Sequence, residues 1–201
     1  MDRRQRVALL GGSFDPPHNG HLAMARAAHE RLALDEILLA PTGLQPFKRH
    51  GAEASFRDRL AMTEMLCAEE PEYLRASTMD APRADGEPNY TVDTVETMRQ
   101  KWPDARLFVI LGADSFAEVP RWREGERLLG MAEWIVVSRP GFRMEREATT
   151  ESARVHRIAD VAVPLASREL RERLRRGDRC AGAMPVPVVE YIRAHGLYGP
   201  A

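Results

Sequence analysis

The 201 residues are enough for one substantial domain, or one domain with a small extension, and too few for two ordinary enzymes side by side. An apolar fraction of 44% and a charged fraction of 29% describe a chain that packs a core in water, which excludes disorder, a collagen-like chain and a coiled coil. The 29 basic and 30 acidic residues leave a formal charge of -1, so no overall positive field draws the molecule to nucleic acid or an anionic membrane, and any anion site must be local. No apolar run approaches the roughly 18 residues that span a bilayer, and MDRRQRVALL lacks a cleavable signal pattern, so the expected compartment is the cytoplasm. Cys67 and Cys180 belong to no CxxC or Cys/His cluster, which points to reduced thiols rather than a disulfide framework or structural zinc.

In chain order, short apolar runs alternate with stretches of helical spacing, the pattern of an α/β protein with a parallel sheet. Val7 to Gly11 predicts the first strand, and Asn19 caps a helix running to about Leu32. Glu36 to Ala40 is the second strand, followed by a helix opened by Ser55 with Asp58 three residues on. Tyr73 to Ser77 is the third strand, and Thr91 opens a helix whose Val92, Val95, Met98 and Trp102 share a face. Leu107 to Gly112 and Trp134 to Ser138 complete the sheet; consecutive apolar positions in these runs suit strands covered on both faces. After Leu165 the reading changes. Ser167 caps a short, very basic helix ended by Gly177, and Pro185 starts an amphipathic helix ending near Gly196. Gln45 to Ala54, Pro82 to Asn89 and Gly141 to Ser152 read as mobile loops.

In an open parallel sheet, ligands bind beyond the carboxyl ends of the strands, so the first strand-to-helix turn is where chemistry is expected. It reads Gly-Gly-Ser-Phe-Asp-Pro-Pro-His-Asn-Gly-His from Gly11 to His21, and neither GxGxxG nor a Walker A sequence occurs in the chain. Gly11 and Gly12 let a ligand approach the backbone, Gly20 does the same in the first helical turn, and the first helical N–H groups offer an anion site. His18 and His21 straddle that helix start and project onto the same anion, which would favour their protonated forms. The competing readings of the pair are loop and surface histidines or a metal half-site, the latter weakened by the lack of Cys or acidic ligands nearby.

This string resembles the His-x-Gly-His signature of the nucleotidylyltransferase superfamily, and the resemblance narrows to the bacterial nicotinate-nucleotide adenylyltransferases. Pro41-Thr42-Gly43-Leu44-Gln45-Pro46-Phe47-Lys48 is similar to that family's loop after the second strand, and Pro88-Asn89-Tyr90-Thr91 with Thr94 to its Ser/Asn-Tyr-Thr segment. Leu111-Gly112-Ala113-Asp114-Ser115 with Pro120-Arg121-Trp122 resembles its Gly-x-Asp-Ser and Trp elements, and Ser138-Arg139-Pro140-Gly141 its Arg-Pro-Gly. Where the family has Ile-Ser-Ser-Thr-x-Ile-Arg, this chain has Leu165-Ala166-Ser167-Arg168-Glu169-Leu170-Arg171. Ala166 and Arg168 thus replace two hydroxyl residues and put two hydrogen bonds to the triphosphate in doubt.

The resemblance implies a Rossmann-like, doubly wound parallel sheet of order 3-2-1-4-5, and one nucleotidylyltransferase domain over residues 1–201 whose 165–201 extension carries the second phosphate motif. It implies adenylyl transfer from ATP, entering as its Mg2+ complex, to nicotinate mononucleotide, giving deamido-NAD and pyrophosphate. His18, His21, Lys48 and Arg171 are then the catalytic residues. Gly11, Gly12, Ser13, Phe14, Gly20, Gly112, Asp114 and Ser167 face ATP, and Asp15, Tyr90, Thr91, Trp122 and Arg139 face the mononucleotide. The flat ring of Trp122 suits stacking on a pyridine and Thr91 the ring carboxylate; packing and helix capping are the plainer roles of those two. No protein-held metal, nucleic acid or membrane partner is expected. Rival acceptors are nicotinamide mononucleotide and phosphopantetheine, and a rival of another class is an ATP-binding regulator without catalysis.

Overall fold

In a computed structural model, which describes residues 3–46, 51–138, 153–159, 161 and 165–199, the apolar runs become a six-stranded sheet. The elements are β1 (Arg6–Gly12), α1 (Asn19–Leu32), β2 (Glu36–Pro41), α2 (Phe56–Cys67), β3 (Leu74–Ala76), α3 (Thr91–Lys101) and β4 (Arg106–Gly112). They continue with α4 (Ala113–Glu118), a 3-10 turn (Val119–Arg121), α5 (Gly125–Met131), β5 (Glu133–Val137), β6 (Val155–Ile158), α6 (Ser167–Arg175) and α7 (Val186–Ala194). Every pairing is parallel, in the order β3-β2-β1-β4-β5-β6. The expected order is therefore extended by an edge strand that the sequence did not announce.

Two apolar layers follow from the period-2 alternation of side chains along buried strands. Leu9 pairs with Leu38 on one side and Val109 on the other, and this set packs with Val92, Val95 and Met98 of α3 and Leu128 of α5. Their neighbours Ala8, Leu10, Phe108, Ile110 and Ile135 face the opposite way, onto Leu22, Ala25 and Ala28 of α1 and Leu66 of α2. A third cluster lies off the sheet, where Met62 of α2 and Ala54 meet Leu170 of α6, Val188 and Ile192 of α7, and Tyr198. Both thiols are buried, and burial pushes that of Cys67 up to about 12. Among the described residues no helix is long and apolar enough to cross a membrane.

The helix starts correct several expectations. Ser55 caps α2, its hydroxyl accepting from Asp58 N at 3.1 Å. At α1 the cap is His18, not Asn19, whose amide instead donates to Gly182 O at 2.9 Å. Tyr90 holds the cap position of α3 and Ala166 that of α6, neither with a side-chain capping bond, so Thr91 and Ser167 are the first helical residues rather than caps. The stretch between β4 and β5, for which the sequence reading names no helix, holds α4 and α5. The Gly141 to Ser152 loop and residues 47–50 lie outside the described residues.

Candidate active site

The winding of the sheet reverses between β1 and β4, and a cavity of about 770 Å³ opens at their carboxyl ends, lined from β1 by Gly11 and from β4 by Gly112. This is where an open α/β sheet presents ligands to strand ends and helix starts. One wall is the β1–α1 turn, with Ser13, Phe14, His18, Gly20 and His21; Asp114 enters from the start of α4, and the facing wall is the start of α6, with Ser167, Arg168 and Arg171.

The sequence folds the β1–α1 turn around its two imidazoles. Gly20 N donates to His18 Nδ1 at 3.1 Å and His18 N donates to His21 Nδ1 at 3.2 Å, a reciprocal capping box built from histidines. The rings lie 3.9 Å apart, and Phe14 backs His21 at 4.7 Å. A Cβ on Gly20 would sit 2.8 Å from the His18 ring, so the helix can start here only because residue 20 has no side chain. A nitrogen that accepts an N–H carries no hydrogen of its own, so each ring keeps its hydrogen on Nε2 and acts as a neutral donor. Burial, and then the adjacent His18 ring, hold the His21 pKa well below the ordinary 6.5. In this arrangement the two rings are paired neutral donors, and the protonated forms are expected only with an anion beside them.

The facing wall is tied to the same turn over long sequence distances. Ser167 Oγ donates to Pro16 O at 2.9 Å, and Arg171 Nη1 donates to Asp15 O at 2.6 Å. Asp15 is buried, and its carboxylate accepts from Glu53 N (2.8 Å), Ala54 N (3.1 Å) and Tyr198 Oη (2.7 Å). The role this gives Asp15 is to bind the turn to the 53–54 loop and the C-terminal segment. Arg171 also pairs with Glu53 at 2.6 Å, and Arg175 pairs with the other oxygen of that carboxylate. Partial burial opposes ionisation of Glu53, but the hydrogen bonds from Arg175 and Arg171 outweigh it and hold the carboxyl below its ordinary value. Behind the turn, Arg59 is 2% exposed and satisfies its guanidinium on Ser13 O (2.7 Å), Thr42 O (2.9 Å) and Ala54 O (3.2 Å). It thereby joins three loops through their carbonyls.

Beside β2 the 42–44 loop and the 80–94 segment bond to one another. Asn89 accepts from Leu44 N at 3.0 Å and donates to Ala81 O at 2.8 Å, while Thr94 Oγ1 donates to Asp80 Oδ1 at 3.0 Å. A Cβ on Gly43 would lie 2.4 Å from Pro82 N, so these loops touch only through glycine. Burial raises Asp80 to about 6 against hydrogen bonds from Thr42 and Thr94 and the charge of Arg59. Tyr90 and Trp122 are half-buried against one apolar layer, with the Arg123 guanidinium 4.6 Å above the Tyr90 ring. Gly12, Asp15, Tyr90, Thr91 and Trp122 do not line the cavity, whereas Gly11, Ser13, Phe14, His18, Gly20, His21, Gly112, Asp114, Ser167 and Arg171 do. Lys48 and Arg139 lie outside the described residues. Among the described residues no three His, Cys, Asp or Glu side chains converge as a metal cage.

Comparison with known proteins adds to this geometry. The cytidylyltransferase-like family model matches residues 9–171. A protein of Roseiflexus sp. (strain RS-1), named "Probable nicotinate-nucleotide adenylyltransferase", is 38% identical over 197 residues, covering 96% of this chain and 97% of its own. The chain belongs to this family. A Streptomyces coelicolor member is 38% identical over 94% of this chain and 98% of its own, and a Corynebacterium glutamicum member 34% identical over 100% and 91%. The fold is likewise that of the Plasmodium falciparum nicotinic acid mononucleotide adenylyltransferase solved with NaAD, at a TM-score of 0.79 and 20% identity over 97% of this chain and 98% of that one.

Proposed function

We propose that this member of the family transfers the adenylyl group of ATP to the phosphate of nicotinate mononucleotide, giving deamido-NAD and releasing pyrophosphate. The observation that carries the reading is the histidine pair, fixed by main-chain bonds at a helix start and lining the cavity at the sheet's switch point.

The acceptor phosphate is already an anionic nucleophile, so the residues need only align two mutually repelling anions and stabilise the charge that grows on the bridging oxygen and the departing pyrophosphate. His18 and His21 donate to the phosphate under attack, and Arg171 and Lys48 supply positive charge. Gly11 leaves the strand end open, since a Cβ built there would meet nothing within 4 Å. Asp114 accepts from ribose hydroxyls, Ser167 and the α6 amides face the phosphates, and Tyr90, Thr91, Trp122 and Arg139 hold the mononucleotide. Asp15 acts behind the turn, keeping it registered against Arg171. ATP would enter as its Mg2+ complex, the cation offsetting part of the phosphate charge. The chain works as one catalytic unit, because α6 and Tyr198 bond directly to the β1–α1 turn.

The test is pyrophosphate release from ATP and Mg2+ with nicotinate mononucleotide, nicotinamide mononucleotide or phosphopantetheine as acceptor. The nicotinate compound is expected to give the highest kcat/KM. A preference for either rival would overturn the acceptor assignment, and ATP binding without release for any acceptor would establish the non-catalytic regulator instead.

A further inference from the structure

We infer that Arg168 binds the terminal phosphates of the nucleoside triphosphate, an inference that rests on the ATP-dependent reading of this cavity. Among the described residues lining it, Arg168 and Arg171 are the lysine or arginine side chains. Both histidines face the cavity as neutral donors, because main-chain N–H groups occupy their Nδ1 atoms. Arg171 is 20% exposed and already balanced, with Glu53 at 2.6 Å and Asp15 Oδ2 at 3.7 Å. Arg175 shares the Glu53 carboxylate.

Arg168 is far more solvated and more loosely held. Its side chain is 84% exposed, and its partner is Glu172 on the next turn of the same helix, 3.3 Å away and 48% exposed, a solvated pairing that exchanges readily. It lies in the first turn of α6, where the helix dipole disfavours a cation unless an anion sits between them. A triphosphate provides that anion. The lining also runs from buried to solvated: His18 at 6%, the Arg171 side chain at 20%, the Arg168 side chain at 84%. A triphosphate whose α-phosphate lies at the histidines therefore extends outward, and its most solvated end reaches Arg168. AMP, which lacks that end, does not.

The test is equilibrium binding of ATP, AMP and inorganic tripolyphosphate to the wild type, Arg168→Ala and Arg168→Lys. Arg168→Ala is expected to weaken ATP and tripolyphosphate by about tenfold, about 1.4 kcal/mol, while AMP changes by less than about twofold. Arg168→Lys recovers most of the loss because the charge remains. The difference closes in about 1 M salt, where screening acts over about 3 Å. In turnover the KM for ATP rises and the KM for the mononucleotide does not. Wild-type affinity for ATP in Arg168→Ala, or equal losses for ATP and AMP, would overturn the inference while leaving the proposed function standing. A wild-type chain that binds no ATP would overturn both.

Discussion

Asp80 is buried between the 42–43 loop and α3, and Asp80→Asn tests whether its burial costs folding free energy at neutral pH. The carboxyl is 9% exposed, accepts from Thr94 Oγ1, and is raised by burial from 3.8 to about 6. A raised carboxyl favours its protonated form in the fold. Its contribution to stability is therefore full below pH 3.8, falls as pH rises toward 6, and is lost above that. The rise corresponds to about 3 kcal/mol, of which about 2 kcal/mol falls between pH 4.5 and 8. The asparagine amide keeps an acceptor for Thr94 and cannot ionise. Urea denaturation of both proteins at the two pH values should show the variant gaining about 2 kcal/mol on the wild type between the lower and the higher. Because other titrating groups are common to both proteins, a difference constant within about 0.5 kcal/mol would refute the reasoning.

Other outcomes follow from the same contacts. His21→Ala removes one positioned donor, worth roughly 2.7 to 4 kcal/mol of transition-state stabilisation, so turnover should fall about a hundredfold or more with nicotinate mononucleotide affinity nearly intact. Near-normal turnover would remove His21 from the mechanism. Tyr198→Phe keeps the ring and deletes the hydroxyl that donates to Asp15 at 2.7 Å, which should cost about 1 to 3 kcal/mol in chemical denaturation. No loss would mean that the buried carboxylate is satisfied without it.

What could be read from the sequence divides along physical lines. The five expected strands are found because continuous apolar runs such as Phe108 to Leu111 are buried on both faces. The sixth, Val155–Ile158, is short and carries His156 and Arg157 at the sheet edge, so its composition resembles a loop. Capping rules favour Ser, Thr, Asp and Asn. They therefore identify Ser55 and pass over His18, whose capping role depends on a second imidazole and a glycine arranged in space. Arg59, inside an amphipathic helix, reads as solvated, because the carbonyls of Ser13 and Thr42 that draw it inward belong to other loops. Asp80 and Tyr198 went unnoticed for the same reason: their partners Thr94 and Asp15 are brought together only by the fold. The histidines themselves were legible, but their charge state was not, since it depends on which nitrogen the main chain occupies.

That occupancy links acidity to the shape of the site. To take up a second hydrogen, His21 must release the main-chain N–H of residue 18, and one of the two bonds of the box that starts α1 is then lost. With its folded pKa held below the ordinary 6.5, His21 contributes stability that is present above that value and drains away as the medium becomes more acidic. Acid should consequently loosen the beginning of the first helix, so that the amino-terminal turn follows the titration curve of this one imidazole.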